Sequence, residues 1–168
     1  MTVHLRPEQP ADADAIAEVT RLAFTSNGGV RENEMIGEIR ASDRFLPDLS
    51  LVADAQGRVI GHVLVSLADL QGDPEHPERP RRVLLLGPLS VLPEVQRQGI
   101  GSALMQGVLA RLQERPEPMV VLWGHEAYYP RFGFRPASDF GLEPNTPAAM
   151  VYPLRRHRTA YAGLELPH

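Results

Sequence analysis

The chain lacks several residue types and patterns that would point to particular classes of protein. It contains no cysteine, which excludes disulfides, thiolate metal sites and a cysteine nucleophile together and is compatible with the cytoplasm. No apolar stretch reaches the length of about 18 residues that a membrane span needs. The N-terminus has no basic region followed by an apolar run, as a signal peptide would. We therefore expect a cytoplasmic protein that does not interact with a membrane.

Three catalytic signatures are also missing. The six histidines are scattered, and His125-Glu126 is not followed by a second histidine three residues later, so the zinc-protease pattern is absent. There is no Gly-x-Ser-x-Gly elbow of the hydrolases and no Gly-Lys-Ser/Thr of the P-loop nucleotide-binding proteins. No bound metal is expected.

The length and the charge narrow the range further. A chain of 168 residues suits one domain with one core, and no internal repeat or linker divides it. The formal net charge is -4, which disfavours a nucleic-acid-binding protein or a membrane-associated accessory protein. We expect a single domain over residues 1–168.

Hydrophobic periodicity predicts strands and helices in a mixed order. Strands are predicted over residues 3–6, 49–53, 59–67, 83–92 and 119–123. Helices are predicted over residues 10–24, 32–41 and 100–112, followed by a short helical segment within 124–132. An exposed loop is predicted over 72–80, a short strand opens at Phe134, and at least one more strand is expected between 150 and 166. This order predicts an α/β (α+β) fold with helices packed on a central sheet.

The strand predicted over residues 83–92 has two unusual features. It carries no charged residue, so we expect it to be buried on both faces. Gly87-Pro88 interrupts it, and proline cannot donate to a sheet ladder. We therefore predict a bulge or a local loss of pairing at this dipeptide.

Two glycines, Gly99 and Gly101, join this buried strand to the next helix. The first amides of a helix have no partner within it and carry a partial positive charge, so a phosphate is a natural ligand here. A dinucleotide-binding fingerprint would need a third glycine at position 104, which is Leu104. From the turn alone, a plain strand-to-helix connection remains an alternative.

The flanking residues resemble the acetyl-CoA-binding motif of the GCN5-related N-acetyltransferases (GNAT). That motif reads Arg or Gln, two residues, Gly, one residue, Gly or Ala, and it is satisfied by Gln96, Gly99 and Gly101. A second segment is similar to the family's Tyr-x-x-x-Gly-Phe pattern, namely Tyr128-Tyr129-Pro130-Arg131-Phe132-Gly133-Phe134. The chain also resembles a bacterial acetyltransferase subgroup with Gly-Pro-Leu-x-Val-Leu-Pro before the glycine turn. The order of predicted elements agrees with the family from residue 1 to about 136.

The resemblance implies a GNAT fold, with a mixed, mostly antiparallel sheet, two splayed parallel strands and helices on both faces. It also implies acetyl-CoA as the acetyl donor. The backbone of Leu89, Ser90 and Val91 would align the pantetheine and the thioester, and an amide near Leu89 or Ser90 would stabilise the oxyanion. By the same resemblance, the amides of the turn and first helical residues would hold the pyrophosphate, namely Arg97, Gln98, Gly99, Ile100, Gly101 and Ser102. Gln96, which opens the motif, is also expected to be a donor-binding residue.

The family transfers the acetyl group by direct attack of an amine, which requires two proton transfers. Tyr129 stands where the family places its acid tyrosine, four residues before Gly133, although packing alone would also explain it. Glu32 is our first candidate for the base, because it lies on the buried stripe of the second helix; an electrostatic role at the helix N-terminus is the alternative. His125, Glu126 or a water chain could serve instead. His62 is interpreted as a structural histidine.

The resemblance leaves part of the function open. An acyl-CoA-binding sensor or structural module with the same fold but no amine turnover is the alternative to an N-acetyltransferase. The acceptor amine, a small molecule or a peptide, cannot be identified from the sequence. Either a monomer or a homodimer is expected, with no nucleic-acid partner.

Overall fold

The computed structural model describes residues 1–72, 81–155 and 163–167. Its helices are α1 (Ala13–Ala23), α2 (Val30–Arg40) and α3 (Ile100–Leu112). Its strands are β1 (His4–Pro7), β2 (Ser50–Ala55), β3 (Arg58–Leu70), β4 (Arg81–Val91), β5 (Met119–Trp123), β6 (Arg135–Pro136) and β7 (Ala149–Pro153). Within these residues, no helix is long and apolar enough to cross a membrane.

The seven strands form one sheet in the order β1-β2-β3-β4-β5-β7-β6. The pairs β1/β2, β2/β3, β5/β7 and β6/β7 are antiparallel. Strands β4 and β5 are parallel, which is possible because α3 connects them as a crossover. The prediction of a mixed, mostly antiparallel α/β fold is therefore confirmed.

The described residues divide into two compact units, to both of which β3 and β4 contribute. The first unit consists of residues 1–66 and 87–111, and the second of residues 67–86 and 112 onward. The first therefore contains β1, β2, α1, α2 and nearly all of α3, while the second contains β5, β6 and β7.

Helix α3 packs tightly against the sheet within the first unit. Its side chains at helical spacing form the predicted buried row, Ile100, Leu104, Val108 and Leu112. A Cβ built on Gly61 of β3 would lie 3.0 Å from Leu104 Cδ1 and 3.2 Å from Ile100 Cγ2. The close approach of α3 therefore depends on the absence of a side chain at Gly61.

Helix α2 begins at a glycine turn that also fits tightly against α1. Gly29 has φ of +67°, a left-handed conformation that favours glycine, and a Cβ there would lie 2.7 Å from the carbonyl oxygen of Thr20. Asn33 Nδ2 donates to the carbonyl of Ala17 at 3.1 Å. These contacts fix the first turn of α2 against α1.

The second unit has its own apolar core. It is built from the inward faces of the strands and their connections, and its buried members include Val83, Met119, Val121, Leu142, Val151 and Leu166. Residues 163–167 join this core, because Glu165 forms bridges with Gln71 and with Glu143. These two bridges connect segments that are distant in sequence.

Most of the sequence-predicted elements are present, with small shifts at their ends. The helix predicted over 10–24 is a 3-10 turn, Pro10–Asp12, followed by α1. Strand β7 is the strand expected between 150 and 166. Most of the loop predicted over 72–80 lies outside the described residues.

Candidate acetyl-CoA and amine site

Strand β4 leads into the glycine turn and loses its regular geometry at the predicted dipeptide. Its parallel pairing with β5 joins Leu84 to Val120 and Leu85 to Val121. Just beyond, Gly87 has φ of +143° and a cis peptide bond to Pro88. The irregularity lies two residues before Leu89, where the first backbone contacts to the donor are expected.

The glycine turn itself is exposed and strained. A 3-10 turn, Pro93–Val95, follows β4, and Gln96 to Gly99 are exposed before α3 begins at Ile100. Gly99 has φ of +86°, and Arg97, a residue with a Cβ, has φ of +61°. A Cβ on Gly99 would have no heavy atom within 4 Å apart from its chain neighbours. The space over this glycine is therefore open.

The N-terminus of α3 presents unpaired amides at this open space. The first helical hydrogen bond is donated by Ala103 N to Gly99 O at 2.9 Å. Among the backbone bonds of residues 1–72, 81–155 and 163–167, none is donated by the amides of residues 97–102. Unpaired amides together with the helix dipole favour an anion. Amides 97–102 and the open space over Gly99 thus have the features of an anion site.

Two of the predicted donor-binding residues, Gln96 and Ser90, differ in the contacts of their side chains. Gln96 Nε2 donates to the carbonyl of Val91 at 3.0 Å, so this side chain braces the turn against the end of β4. The side chain of Ser90 is buried and its Oγ has no hydrogen-bond partner. Leu89 and Val91 alternate with it and are partly exposed. Leu89 and Val91 thus lie on the partly exposed face of β4, and Ser90 lies on the buried face.

Glu32 is partly buried in the first unit and lies on the same side of α2 as the buried Ile36 and Ile39. Its Oε2 is buried and has no hydrogen-bond partner among residues 1–72, 81–155 and 163–167. In a capping box, a glutamate at this third helical position would accept from the amide of Gly29. That amide instead donates to Asn27 Oδ1 at 2.9 Å. One carboxylate oxygen of Glu32 is thus left without a partner in the described structure, and the contribution of Asn27 was not predicted from the sequence.

His62 ends a buried polar chain, the Arg40–Glu8–Ser50–His62 chain, in the first unit. Arg40 Nη2 donates to Glu8 Oε2 at 2.6 Å, and Ser50 Oγ donates to Glu8 Oε1 at 2.5 Å. Because the single hydroxyl proton of Ser50 is directed to the carboxylate, Ser50 Oγ accepts from His62 Nε2, at 2.9 Å. The neutral ring then carries no proton on Nδ1, which is buried without a partner. Burial, reinforced by the charge of Arg40, lowers the pKa of His62 to about 3.

Tyr129 lies in the second unit, at the start of the 3-10 turn Tyr129–Phe132. Its ring contacts Tyr128 edge to face, with centroids 5.1 Å apart, and Phe134 at 6.1 Å. Burial, together with the neighbouring Tyr128, raises the pKa of Tyr129 to about 12. The side chain is therefore a protonated hydroxyl donor over the whole physiological pH range.

The alternative bases differ from Glu32 in their surroundings. His125 and Glu126 are both exposed in the connection after β5. The side chains of His125 and Glu126 are therefore solvated, and water can satisfy their polar atoms. Among the candidates, only Glu32 combines a carboxylate with a buried oxygen that lacks a partner in the described structure.

A family model described as an acetyltransferase (GNAT) domain matches residues 32–136, more than half of the chain. The chain belongs to the GNAT family of acetyltransferases. The matched range contains the glycine turn, Tyr129 and Glu32. The resemblance inferred from the two sequence motifs is confirmed, and so is the fold that it implies.

Relatives of this GNAT protein include two from Escherichia coli K12. The uncharacterized N-acetyltransferase YjhQ is 34% identical over 145 residues, covering 84% of this chain and 76% of that protein. The uncharacterized N-acetyltransferase YhbS is 34% identical over 144 residues, covering 85% of this chain and 80% of that protein. Both relatives are thus matched over most of their length, and the GNAT protein described here is an N-acetyltransferase.

Two solved structures are similar over nearly the whole chain. A GNAT acetyltransferase from Brucella melitensis in complex with acetyl-CoA has a TM-score of 0.71 and 31% identity, covering 90% of this chain and 88% of that one. YhbS from Escherichia coli in complex with CoA has a TM-score of 0.77 and 27% identity, covering 98% of this chain and 89% of that one.

Proposed function

We propose that this GNAT protein transfers the acetyl group of acetyl-CoA to a primary amine by direct attack in a ternary complex. Residues 1–168 would form one acetyltransferase domain. The observation that carries the proposal is the open N-terminus of α3, whose unpaired amides face the space above Gly99. The similar structures from Brucella melitensis and Escherichia coli, which hold acetyl-CoA and CoA, support the choice of donor.

The turn and the strand before it would bind the donor. The amides of Arg97 to Ser102 would hold the pyrophosphate, because they are unpaired and lie at the positive end of the α3 dipole. The backbone of Leu89 to Val91 would align the pantetheine. A preorganised amide at Leu89 or Ser90 would stabilise the oxyanion, a contribution of roughly 3 kcal/mol in comparable enzymes.

The reaction forms a bond between the amine nitrogen and the acetyl carbon, and it breaks the bond between that carbon and the CoA sulfur. The neutral amine carries one proton more than the amide product, and that proton ends on the departing sulfur, so CoA is released as the thiol. The leaving thiolate needs a hydrogen-bond donor. A free thiol has a pKa of about 8.5, well below the value of about 12 to which burial raises the pKa of Tyr129. We therefore assign Tyr129 as a hydrogen-bond donor that stabilises the departing thiolate while its hydroxyl remains protonated.

Glu32 would receive the acceptor amine. A primary amine with an ordinary pKa of about 10.4 arrives as an ammonium ion and must lose a proton before it attacks. The buried Glu32 Oε2 has no partner within the described structure, and an ammonium group would supply both the hydrogen bond and the opposite charge. We assign Glu32 as the base and as the anchor of a cationic acceptor.

The test is a panel of amines and amino-terminal or lysine-containing peptides, with release of the CoA thiol as the readout. The sequence contains no lysine, so no lysine side chain of the enzyme competes as an acceptor. At least one amine should accelerate thiol release above hydrolysis, and mass spectrometry should show the acetylated amine. Binding of acetyl-CoA without turnover of any amine would instead support an acyl-CoA sensor.

Gly99→Glu tests the donor site, because it places bulk and negative charge against the α3 amides. Gly57→Glu is the matched control: Gly57 has φ of +89° and equally open space, so it carries the same backbone strain but lies in the β2–β3 turn. We expect Gly99→Glu to abolish binding of acetyl-CoA in calorimetry and Gly57→Glu to retain it. Turnover that survives in Gly99→Glu would refute the donor site.

A further inference from the structure

The backbone of Gly124, directly after β5, is held in place from two sides. Its amide donates to Ala148 O at 3.0 Å, and Trp123 before it pairs with Ala149 of β7. The indole Nε1 of Trp123 donates to Pro167 O at 3.0 Å. Gly124 does not have a positive φ, so its backbone conformation does not itself require glycine.

The ring of Tyr129 occupies the space where a side chain of residue 124 would be. A Cβ on Gly124 would overlap Tyr129 Cε2, and it would lie 3.0 Å from Cδ2 and 3.3 Å from Cζ, the carbon that bears the hydroxyl. Carbon atoms in proteins pack at roughly 3.5–4.0 Å. A single added methyl group would therefore displace the ring and its hydroxyl.

The ring has little room to move away from residue 124. Tyr128 contacts it edge to face at a centroid distance of 5.1 Å. Phe134 lies at 6.1 Å, is itself 2% exposed, and packs against Tyr152 with centroids 5.5 Å apart. The amide of Tyr129 also donates to His125 O. The position of the hydroxyl is thus defined by aromatic packing on one side and by a bare backbone on the other.

We propose that Gly124 is a positioning residue for acetyl transfer, because its missing side chain lets the Tyr129 ring rest on the backbone and fixes the hydroxyl at the reacting sulfur. The inference rests on the proposed role of Tyr129. Gly124 itself touches neither the donor nor the acceptor in this assignment. Its effect is therefore on the rate of the chemical step and not on the affinity for acetyl-CoA.

The test is a cycle of Gly124→Ala, Tyr129→Phe and the double variant, measured with the amine found in the panel. Gly124→Ala should lower kcat by about as much as Tyr129→Phe, at least ten-fold and on the order of 100-fold for a lost hydrogen-bond donor, with KM for acetyl-CoA changed less than two-fold. In the Tyr129→Phe background, Gly124→Ala should lower kcat by less than two-fold, because no hydroxyl remains to be displaced. Gly37→Ala is the control, since a Cβ there meets nothing within 4 Å, and it should leave kcat unchanged.

Each outcome of the cycle supports or overturns a separate statement. A normal kcat in Tyr129→Phe refutes the role of Tyr129 in the proposed function. A slow Tyr129→Phe with a normal Gly124→Ala refutes the positioning role alone, and so does a further ten-fold loss in the double variant. If circular dichroism shows that Gly124→Ala does not fold, the same substitution is made in the Tyr129→Ala background, where no ring lies beside residue 124. A loss of kcat of more than two-fold relative to Tyr129→Ala alone would also overturn the inference.

Discussion

Lowering the pH from 7 to 4.5 should reduce the free energy of unfolding by roughly 2–3 kcal/mol through His62 alone. Burial lowers the pKa of this imidazole to about 3, whereas in the unfolded chain it has an ordinary value of about 6.5. Above pH 6.5 the ring is neutral in both states and stability does not depend on it. Below pH 6.5 the imidazole binds a proton in the unfolded chain but not in the folded protein. The free energy of unfolding therefore decreases as the pH is lowered.

The magnitude follows from the difference in proton binding between the two states. Each pH unit between the two pKa values is worth about 1.4 kcal/mol, and the loss is complete only below the folded value of about 3. The Arg40–Glu8–Ser50–His62 chain explains why the ring stays neutral: its Nε2 proton has a partner, and Arg40 adds an unfavourable positive charge nearby. Asp12 also has a lowered pKa because of Arg6, but its effect on stability lies below the ordinary carboxyl range and outside this window.

The measurement is urea unfolding by far-ultraviolet circular dichroism at pH 7, 6, 5 and 4.5, for the wild type and for His62→Gln. Glutamine removes the titration but can still donate to Ser50. The stability of His62→Gln should be lower than that of the wild type at pH 7 but should fall less steeply toward pH 4.5, so the two curves converge by roughly 2–3 kcal/mol. Parallel curves would show that His62 is not held neutral, and the proton assignment along the chain would then be wrong.

Three further outcomes are expected. Tyr129→Phe should lower kcat on the order of 100-fold without changing KM for acetyl-CoA, as steady-state kinetics will show. Glu32→Gln should reduce kcat/KM for the amine at least ten-fold near pH 7 and progressively less toward the pKa of the amine, whereas Glu34→Gln on the exposed side of α2 should have little effect. Gly29→Ala should destabilise the protein by about 3 kcal/mol in urea unfolding because left-handed strain adds to a clash with the α1 backbone, whereas Gly28→Ala, with the same strain and open space, should cost only about 1 kcal/mol.

Local patterns allowed much of the fold and the position of the glycine turn to be predicted from the sequence, whereas the donor-binding residues remain predictions. The row from Ile100 to Leu112 is periodic because one face of α3 is buried, and helical spacing in the same way correctly placed Glu32 on the partly buried side of α2. Gly87-Pro88 and Gly99 were informative because glycine permits a positive φ and proline lacks an amide donor, so the residue type itself indicates the backbone conformation. The roles of Tyr129 and Glu32 in catalysis remain predictions.

Partnerships between distant residues were not predictable, because periodicity reports which side chains are buried and not what they contact. The contacts of Glu8 with Arg40 and Ser50 join residues 32 and 42 positions apart in the chain and could not be predicted. The same holds for Asn27, whose side chain accepts from the Gly29 amide that Glu32 would otherwise cap. Gly124 gave no signal, since its requirement for glycine comes from the ring of Tyr129 and not from its own backbone.

The single tryptophan of the chain gives this acetyltransferase an intrinsic fluorescence signal that comes from one residue. Trp123 is one residue away from Gly124, is 41% exposed, and has its indole N–H fixed by Pro167 O. All tryptophan emission therefore arises from one place, beside the tyrosine proposed to meet the leaving thiol. Titration of the unlabelled protein with CoA can be followed through that emission, and the same signal compares variants whose turnover is too slow to measure.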